Sequence, residues 1–407
     1  MLRCGRYSRT PTYRPNGLIA TRSTCQIGPP NYDPIYVRIL HLADVHLDRP
    51  FVALAMDVAR RRREELRRTF ERCLDLALER GVELVTIGGD LWEEEHVTLD
   101  TRKWLAARLD ELNLPVALIC GNHDPLVAGG SHARTEWPTL VHRFTSSEPT
   151  EFALGDVSIW GASWTGGAFS TDFLDHFNAP RDGRSHILLL HGTVGASAFL
   201  DEEGRYGPFD AQSVTRAGFA CCLAGHIHAA HQVGPVIYPG SPEPLGWSET
   251  RRHCVAVIDV SDGRDVNVDF VDVNARAYAH RAINVNGAAS SADIEREVNR
   301  ALDDSDPTRI YLKVTLIGEI DDMCAVRPEA LAARHPSYAG LVVVDGTRAT
   351  FDLDALAAQP TALGRFVKDL SDRIENESRE AEKETLELAL RAGVRAMHGE
   401  VEVLRVD

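Results

Sequence analysis

Five short apolar segments between residues 38 and 224 each run directly into a group of polar side chains. The segments are residues 38–42, 82–87, 115–120, 185–190 and 219–224. Amphipathic segments of helical length, 57–80 and 99–112, separate the first three. Buried strands that alternate with amphipathic helices are typical of a layered α/β domain. We therefore predict an α/β fold whose strands carry polar side chains at their carboxyl ends, where open α/β sheets place their sites.

These polar side chains are of the kinds that bind divalent cations. In chain order they are Asp44, His46, Asp90, Asn122, His123, Asp124, His191, His226 and His228. Carboxylate, imidazole and amide donors without a thiolate favour Mn²⁺, Fe²⁺ or Zn²⁺. A pair of such ions can activate a nucleophile and neutralise the charge of a phosphoryl group during in-line displacement. Single motifs of this kind are common, whereas five in this order are hard to attribute to chance or packing.

The ordered set resembles the calcineurin-like metallophosphoesterases. Segments 38–51, 89–93 and 121–125 are similar to the DNA-repair exonuclease branch, the nuclease subunit of SbcCD-type complexes, and segment 238–244 is most similar to its YhaO-like members. The resemblance covers about residues 37–260. It implies a four-layer sandwich of two mixed sheets flanked by helices, with a small C-terminal α+β capping region. It also implies a two-metal-dependent phosphodiester hydrolase, a DNA exonuclease or endonuclease in DNA repair.

The resemblance further implies a role for each polar residue. Two divalent ions, most often Mn²⁺, would share Asp90. The remaining ligands would be Asp44, His46 and His228 for one ion, and Asn122, His191 and His226 for the other. His123 would stabilise the transition-state oxygens or protonate the leaving group, and Asp124 would orient it. The relatives often carry Asp where this chain has Glu93, so Glu93 is left out of the predicted site.

Three regions are predicted along the chain. Residues 1–36 are rich in arginine with one acidic residue, which favours a disordered tail or a misassigned start over a leader-like segment. Residues 37–274 would form the metallophosphoesterase domain. Residues 275–407, where the pattern changes, would form the capping and partner-docking region.

Charge and cysteine content limit the function classes. A net charge of −16 excludes a small basic module that coats nucleic acid, so DNA binding would need a local patch or bound cations. The eight cysteines form no C-x-x-C pair and lie in mostly apolar surroundings, which indicates reduced thiols and a cytoplasmic location. The apolar runs are too short to span a bilayer, so no membrane segment is predicted.

Several features allow two interpretations. The arginines of segment 60–72 could contact a phosphate backbone or form ion pairs along a solvated helix. The tryptophans Trp92, Trp160, Trp164 and Trp247 could stack on bases or pack in cores. An apolar stripe, Leu386, Leu390, Val394 and Met397, could dock on an SbcC-like or SMC-like ATPase partner or pack within its own domain. A homodimer is a further expectation from the resemblance.

Two alternative functions stay open from the sequence alone. The same site could serve small phosphodiesters or phosphoproteins, although about 130 residues beyond the core are more than such an enzyme needs. The chain could instead be mainly a scaffolding subunit of an SMC-like ATPase complex. The complete ligand set argues against a scaffold, because a purely structural subunit has no need of two metals.

Overall fold

The computed structural model describes residues 36–397, apart from 168, 196–205, 262–264, 303, 305, 322–323 and 351–352. The predicted tail, except its last residue, lies outside the described residues, as do residues 398–407.

Two six-stranded sheets form the centre of the molecule. The first contains β1 (Tyr36–Leu42), β2 (Leu84–Gly88), β3 (Val116–Ile119), β4 (Val141–Arg143), β11 (Cys254–Ser261) and β12 (Val266–Asp272), in the order β12-β11-β1-β2-β3-β4. The second contains β5 (Thr150–Leu154), β6 (Val157–Gly161), β7 (Ser185–His191), β8 (Cys221–Gly225), β9 (His231–Val233) and β10 (Val236–Tyr238), in the order β5-β6-β7-β8-β10-β9. Both are mixed: β1–β4 are parallel, for example, while β11 pairs antiparallel with β1.

Nine helices accompany the strands in the described part of the chain. They are α1 (Met56–Glu79), α2 (Leu99–Leu112), α3 (Ser131–Arg134), α4 (Ala211–Arg216), α5 (Ser291–Ala301), α6 (Pro328–Ala333), α7 (Leu353–Ala357), α8 (Ala362–Asn376) and α9 (Glu380–Met397). Helix α1 forms because Leu66, Phe70, Cys73 and Ala77 recur at helical spacing and bury one face. Among the helices of the described residues, none combines the length and apolar composition that a bilayer-spanning segment needs.

The two sheets pack face to face and bury a shared core. Ile39 and Leu84 from the first sheet meet Leu189 and Leu223 from the second, all fully buried. Helices α1 and α2 cover the outer face of the first sheet, and α4 lies on the outer side of the second. The predicted four-layer sandwich is therefore confirmed, and the five apolar segments are its strands β1, β2, β3, β7 and β8.

A third, smaller sheet follows the sandwich. Its parallel strands are β13 (Ala277–Asn284), β14 (Ile310–Asp321) and β15 (Gly340–Thr350). Helices α5 and α6 connect them and pack in the same apolar cluster. The boundary at residues 274 and 275, and a capping role for this region, stay predictions.

The packing of α8 and α9 decides between the two interpretations for most of the apolar stripe. Leu390 and Val394 of α9 are buried against Val367 and Leu370 of α8, and Leu386 packs at the edge of this cluster. Met397 is about half exposed. Most of the stripe therefore packs within its own region.

Candidate metal centre

Five strand ends from both large sheets meet at one edge of the sandwich. Strands β1, β2 and β3 reach this edge from the first sheet, and β7 and β8 reach it from the second. The structure brings the residues predicted from the sequence into one cluster, namely Asp44, His46, Asp90, Asn122, His123, Asp124, His191, His226 and His228. They converge because each follows or ends a strand whose carboxyl end lies at this edge.

Asp90 lies at the centre of the cluster. Its Oδ2 atom is 3.4 Å from Nε2 of His191 and 3.7 Å from Nε2 of His46. On one side, Nε2 of His46 is 3.2 Å from Nε2 of His228. On the other, Nε2 of His191 is 3.0 Å from the side-chain oxygen of Asn122. One carboxylate therefore stands between two sets of nitrogen and oxygen donors.

The donors converge closely enough to hold cations. Three sets of side chains each offer donor atoms within 4.8 Å of one another: Asp44, His46 and His228; Asp44, Asp90 and His191; and His46, Asp90 and His123. Asp44 and Asp90 are almost completely buried, and buried carboxylates need cationic partners. Carboxylate and imidazole donors together suit Mn²⁺, Fe²⁺ or Zn²⁺. The side chains present thus fit a pair of divalent cations.

Three imidazole rings in the cluster are oriented by a hydrogen bond at Nδ1. The acceptors for His46, His191 and His228 are Glu93 (3.0 Å), the backbone oxygen of Gly88 (2.8 Å) and Glu249 (2.8 Å). When Nδ1–H donates in a neutral ring, Nε2 carries the lone pair that a metal needs. Because the three Nε2 atoms face the cluster, each ring is positioned as a metal ligand would be.

Opposing charges control the protonation of these groups. Burial opposes ionisation of Asp90, but the charge and hydrogen bond of His191 hold its pKa well below the usual range. Burial would lower the pKa of His191, but the charge and hydrogen bond of Asp90 raise it to about 9. Glu249 has the same effect on His228 and raises its pKa to about 9. Burial, with the charge of His191, lowers the pKa of His226 to about 3. Without a metal, protonated imidazoles neutralise the buried carboxylates.

His226 lies slightly apart from the other donors. Its backbone N–H donates to both carboxylate oxygens of Asp44, at 2.9 and 3.1 Å. Its ring centroid is 5.3 Å from that of His191 and 5.6 Å from that of Tyr206. The neutral form favoured by its low pKa is the form that binds a metal.

The backbone of the cluster is strained at four of the predicted ligands. Asp44, His46, Asp90 and His226 have φ values of 55°, 50°, 50° and 100°. Residues with a Cβ rarely adopt this left-handed region, and such strain concentrates at functional sites. Gly121, which precedes Asn122, lies very close to the Asp90 carboxylate. A Cβ at Gly121 would overlap that carboxylate, so only glycine allows this approach. The glycine of the sequence motif is thus needed for space beside a ligand.

The Asp124 carboxylate has partners other than the predicted one, the ring of His123. It is fully buried, and none of its hydrogen bonds within the described residues goes to that ring. It accepts hydrogen bonds from the backbone N–H groups of Asp90 (3.0 Å), Leu91 (2.9 Å) and Gly121 (2.6 Å), and pairs with Nε2 of His132 at 3.0 Å. Its four partners occupy both oxygens, so Asp124 fixes the loops after β2 and β3 to each other.

Glu93, which the sequence prediction left out, holds the ring of His123 instead. Its Oε2 is 2.9 Å from Nδ1 of His123, and its Oε1 is 3.0 Å from Nδ1 of His46. Arg49 donates to the same carboxylate at 2.9 Å. The glutamate side chain reaches both rings, one with each oxygen. Its position three residues after Asp90, where the relatives often carry Asp, was the signal that could have identified it.

The arginines of segment 60–72 mostly make contacts within the chain. Arg62 is completely buried and donates to Glu65 (2.6 Å), Glu243 (3.1 Å) and the backbone oxygen of Pro244 (2.6 Å). Four further arginines have partners on α1, on α2 or in nearby loops: Arg63 with Pro50, Arg67 with Asp100, Arg68 with Glu64 and Arg72 with Val273. These contacts favour the structural interpretation of the cluster.

The four tryptophans are placed differently. Trp92 and Trp164 are buried in the two outer apolar clusters. Trp160 is half-buried and donates to Nδ1 of His186 at 3.0 Å. Trp247 lines a cleft beside His123. Packing therefore accounts for three of them, and Trp247 alone of the four lies at the site.

Comparisons with known proteins agree with this geometry. Residues 37–230 match the calcineurin-like phosphoesterase family. The uncharacterized metallophosphoesterase YhaO of Bacillus subtilis is 30% identical over 264 residues, covering 61% of this chain and 63% of that protein. The DNA double-strand break repair proteins Mre11 of Thermoplasma acidophilum and Haloferax volcanii are 24% and 28% identical over 55% and 60% of this chain. The matches cover 62% and 53% of the two Mre11 proteins. This chain therefore matches less than two thirds of the length of each of the three relatives.

Proposed function

Because residues 37–230 are a calcineurin-like metallophosphoesterase domain, we propose that this chain is a phosphodiester hydrolase that uses two divalent cations and acts on DNA. The central position of the Asp90 carboxylate, between the His46–His228 and His191–Asn122 pairs, supports a two-metal site. The likeness of the strand-end motifs to the DNA-repair exonuclease branch and the similarity to the Mre11 proteins support DNA as the substrate.

The chain's own side chains would divide the site between two ions. Asp44, His46 and His228 would hold one, and Asn122, His191 and His226 the other, with Asp90 shared. When bound, such a pair of cations activates a water molecule and neutralises charge on the phosphoryl group. We propose Mn²⁺ as the resident ion, with Fe²⁺ or Zn²⁺ as the other candidates.

In this proposal His123 would deliver a proton to the leaving oxygen. It lines the cleft beside the metal cluster, and its side chain is about one third exposed. The hydrogen bond to Glu93 raises the pKa of His123, which favours the protonated ring that a general acid needs. Since Nδ1 is held by Glu93, Nε2 is the atom that would give up the proton.

Replacing Glu93 by Gln is expected to lower kcat about 10- to 100-fold, the usual cost of removing a group that orients a metal-binding imidazole, since Glu93 also holds the ring of His46. The sign of the pH effect follows from the pKa of His123. A general acid loses activity as pH rises through its pKa, and the substitution lowers that pKa. The alkaline limb of the kcat profile should therefore move to lower pH, which a pH–rate series would measure.

Glu111→Gln, at an exposed position on α2, removes the same charge away from the site and should leave the profile unchanged. Glu93→Asp keeps the negative charge but has a shorter side chain. Its kcat should lie between those of wild type and Glu93→Gln. A rate loss in Glu93→Gln with no movement of the alkaline limb would show that Glu93 has only a structural role.

The proposed function is tested with end-labelled single- and double-stranded DNA. Purified chain is incubated with Mn²⁺ or EDTA, beside His123→Ala, and a chromogenic phosphodiester is added in parallel tubes. Cleavage of DNA that requires Mn²⁺ and is lost in the variant supports the proposal. Hydrolysis of the chromogenic diester without DNA cleavage overturns DNA as the substrate, and inactivity on both substrates overturns the hydrolase itself.

The proposed partners and location extend this function. We propose an SMC-like ATPase subunit and a second copy of the chain as partners, because both accompany the nuclease branch that the motifs resemble. Leu388 and Met397 are the exposed apolar side chains of α9 that such a partner could contact. A cytoplasmic location stays a prediction, supported by six buried cysteines without disulfides in the described part of the chain.

A further inference from the structure

A cleft of about 740 Å³ opens directly beside the metal cluster. Asn122, His123 and Glu93 line the end nearest the cluster. Residues 50–54 also line the cleft, as do Trp247 and Tyr278, whose rings are in contact. A group bound in this cleft would adjoin a phosphate held at the cluster.

The walls of the cleft suit an uncharged ring better than a phosphate. Phe51, Val52 and Leu54 present apolar surface, and Val52 is 90% exposed at the rim. The charged lining consists of Glu93, Glu94 and Glu95 against the single guanidinium of Arg49, so negative charge predominates and disfavours a phosphate backbone in the cleft. Apolar and aromatic walls with few polar groups are typical of sites that bind a flat organic group.

Trp247 is held in place by other aromatic rings. Its ring meets that of Tyr278 edge to face, with centroids 5.1 Å apart, and Tyr278 stacks on Tyr311 at 4.9 Å. The guanidinium of the buried Arg62 lies 5.7 Å from the ring centroid of Tyr311 and 5.5 Å from that of Phe51. A ring fixed in this way loses little side-chain entropy when a ligand stacks on it.

We propose that this cleft binds the base of the nucleotide next to the scissile phosphate, with Trp247 as its stacking surface. This inference rests on the proposed function and specifies its substrate. A base in contact with Trp247 cannot remain paired and stacked within a duplex. The preferred substrate is therefore an unpaired nucleotide, in a single strand or at an opened end, and base identity matters little because every base has a stacking face.

The test uses substrates that differ only in the nucleoside. Methyl 4-nitrophenyl phosphate and the 5′- and 3′-linked thymidine 4-nitrophenyl phosphates all release 4-nitrophenolate, so one assay with Mn²⁺ compares them. Wild type should prefer one thymidine ester in kcat/KM. Trp247→Ala should reduce that preference about 5- to 150-fold, the range that corresponds to loss of one base-stacking contact. Trp247→Phe should retain most of it, since the aromatic face remains.

Trp160→Ala is the matched control, because Trp160 is a half-buried tryptophan outside the cleft. Its nucleoside preference should equal that of wild type. The inference fails if wild type hydrolyses all three esters equally, or if Trp247→Ala keeps the preference. Inactivity of wild type on every ester would instead count against the proposed hydrolase itself.

Discussion

Replacing Asp90 by Asn is expected to lower phosphodiester hydrolysis by at least about a thousand-fold. The Asp90 carboxylate lies between both donor sets, so the substitution removes the one negative charge that both cations would share. Charge stabilisation at a metal site contributes several kcal/mol, and about 4 kcal/mol corresponds to a thousand-fold in rate. Initial rates with Mn²⁺, together with metal content by mass spectrometry, would measure both effects.

Asp269→Asn provides the control for this substitution. Asp269 pairs with Arg80 on the surface, and the loss of its charge should change neither metal content nor rate. Circular dichroism would confirm that both variants are folded. If Asp90→Asn kept two bound metals and near-normal rates, the assignment of Asp90 as the shared ligand would be wrong.

Replacing Arg62 by Ala is expected to lower the free energy of unfolding by about 3–5 kcal/mol, the usual cost of breaking a buried ion pair. Arg62 is fully buried between Glu65 and Glu243, and its removal leaves Glu243 without its guanidinium partner and Glu65 with Arg276 alone. Glu243 also accepts hydrogen bonds from Thr69 and from the backbone of residues 275 and 276. Chemical denaturation would measure the loss.

Arg68→Ala is the matched control on the same helix. The Arg68 side chain is 66% exposed and pairs with Glu64 one turn away, an arrangement worth at most a few tenths of a kcal/mol. Its denaturation midpoint should nearly equal that of wild type. If both variants lost the same free energy of unfolding, the burial of Arg62 would not determine its contribution to stability.

The strands and the set of clustered residues could be predicted because they follow from short-range patterns. Apolar runs mark buried strands, and the parallel strands β1, β2 and β3 end at one edge, so Asp44, Asp90 and Asn122 had to approach one another. The fold of the sandwich follows from the same pattern. These features need no knowledge of how distant loops pack.

The roles of neighbouring side chains could not be predicted, because the sequence does not show which way each one points. Asp124 follows His123 directly, yet its carboxylate turns into the protein and binds backbone N–H groups. Glu93 reaches two rings because of its length. Glu249 and Trp247 reach the site on a loop. The position of this loop depends on contacts between residues that are distant in the sequence.

The buried arginine of α1 also determines how the cleft can move. Arg62 binds Glu65 and Glu243, and Arg276 binds both of these carboxylates at the start of the third sheet. Phe51 packs against Arg62, and Tyr278 stacks on Tyr311, which also packs against Arg62, so a hinge opening of the cleft would have to disturb this buried ionic network. In the proposed base-binding role, such a cleft would select its substrate at the moment of entry. On duplex ends, turnover would then be limited by thermal fraying of the terminal base pair, a property of the DNA more than of the protein.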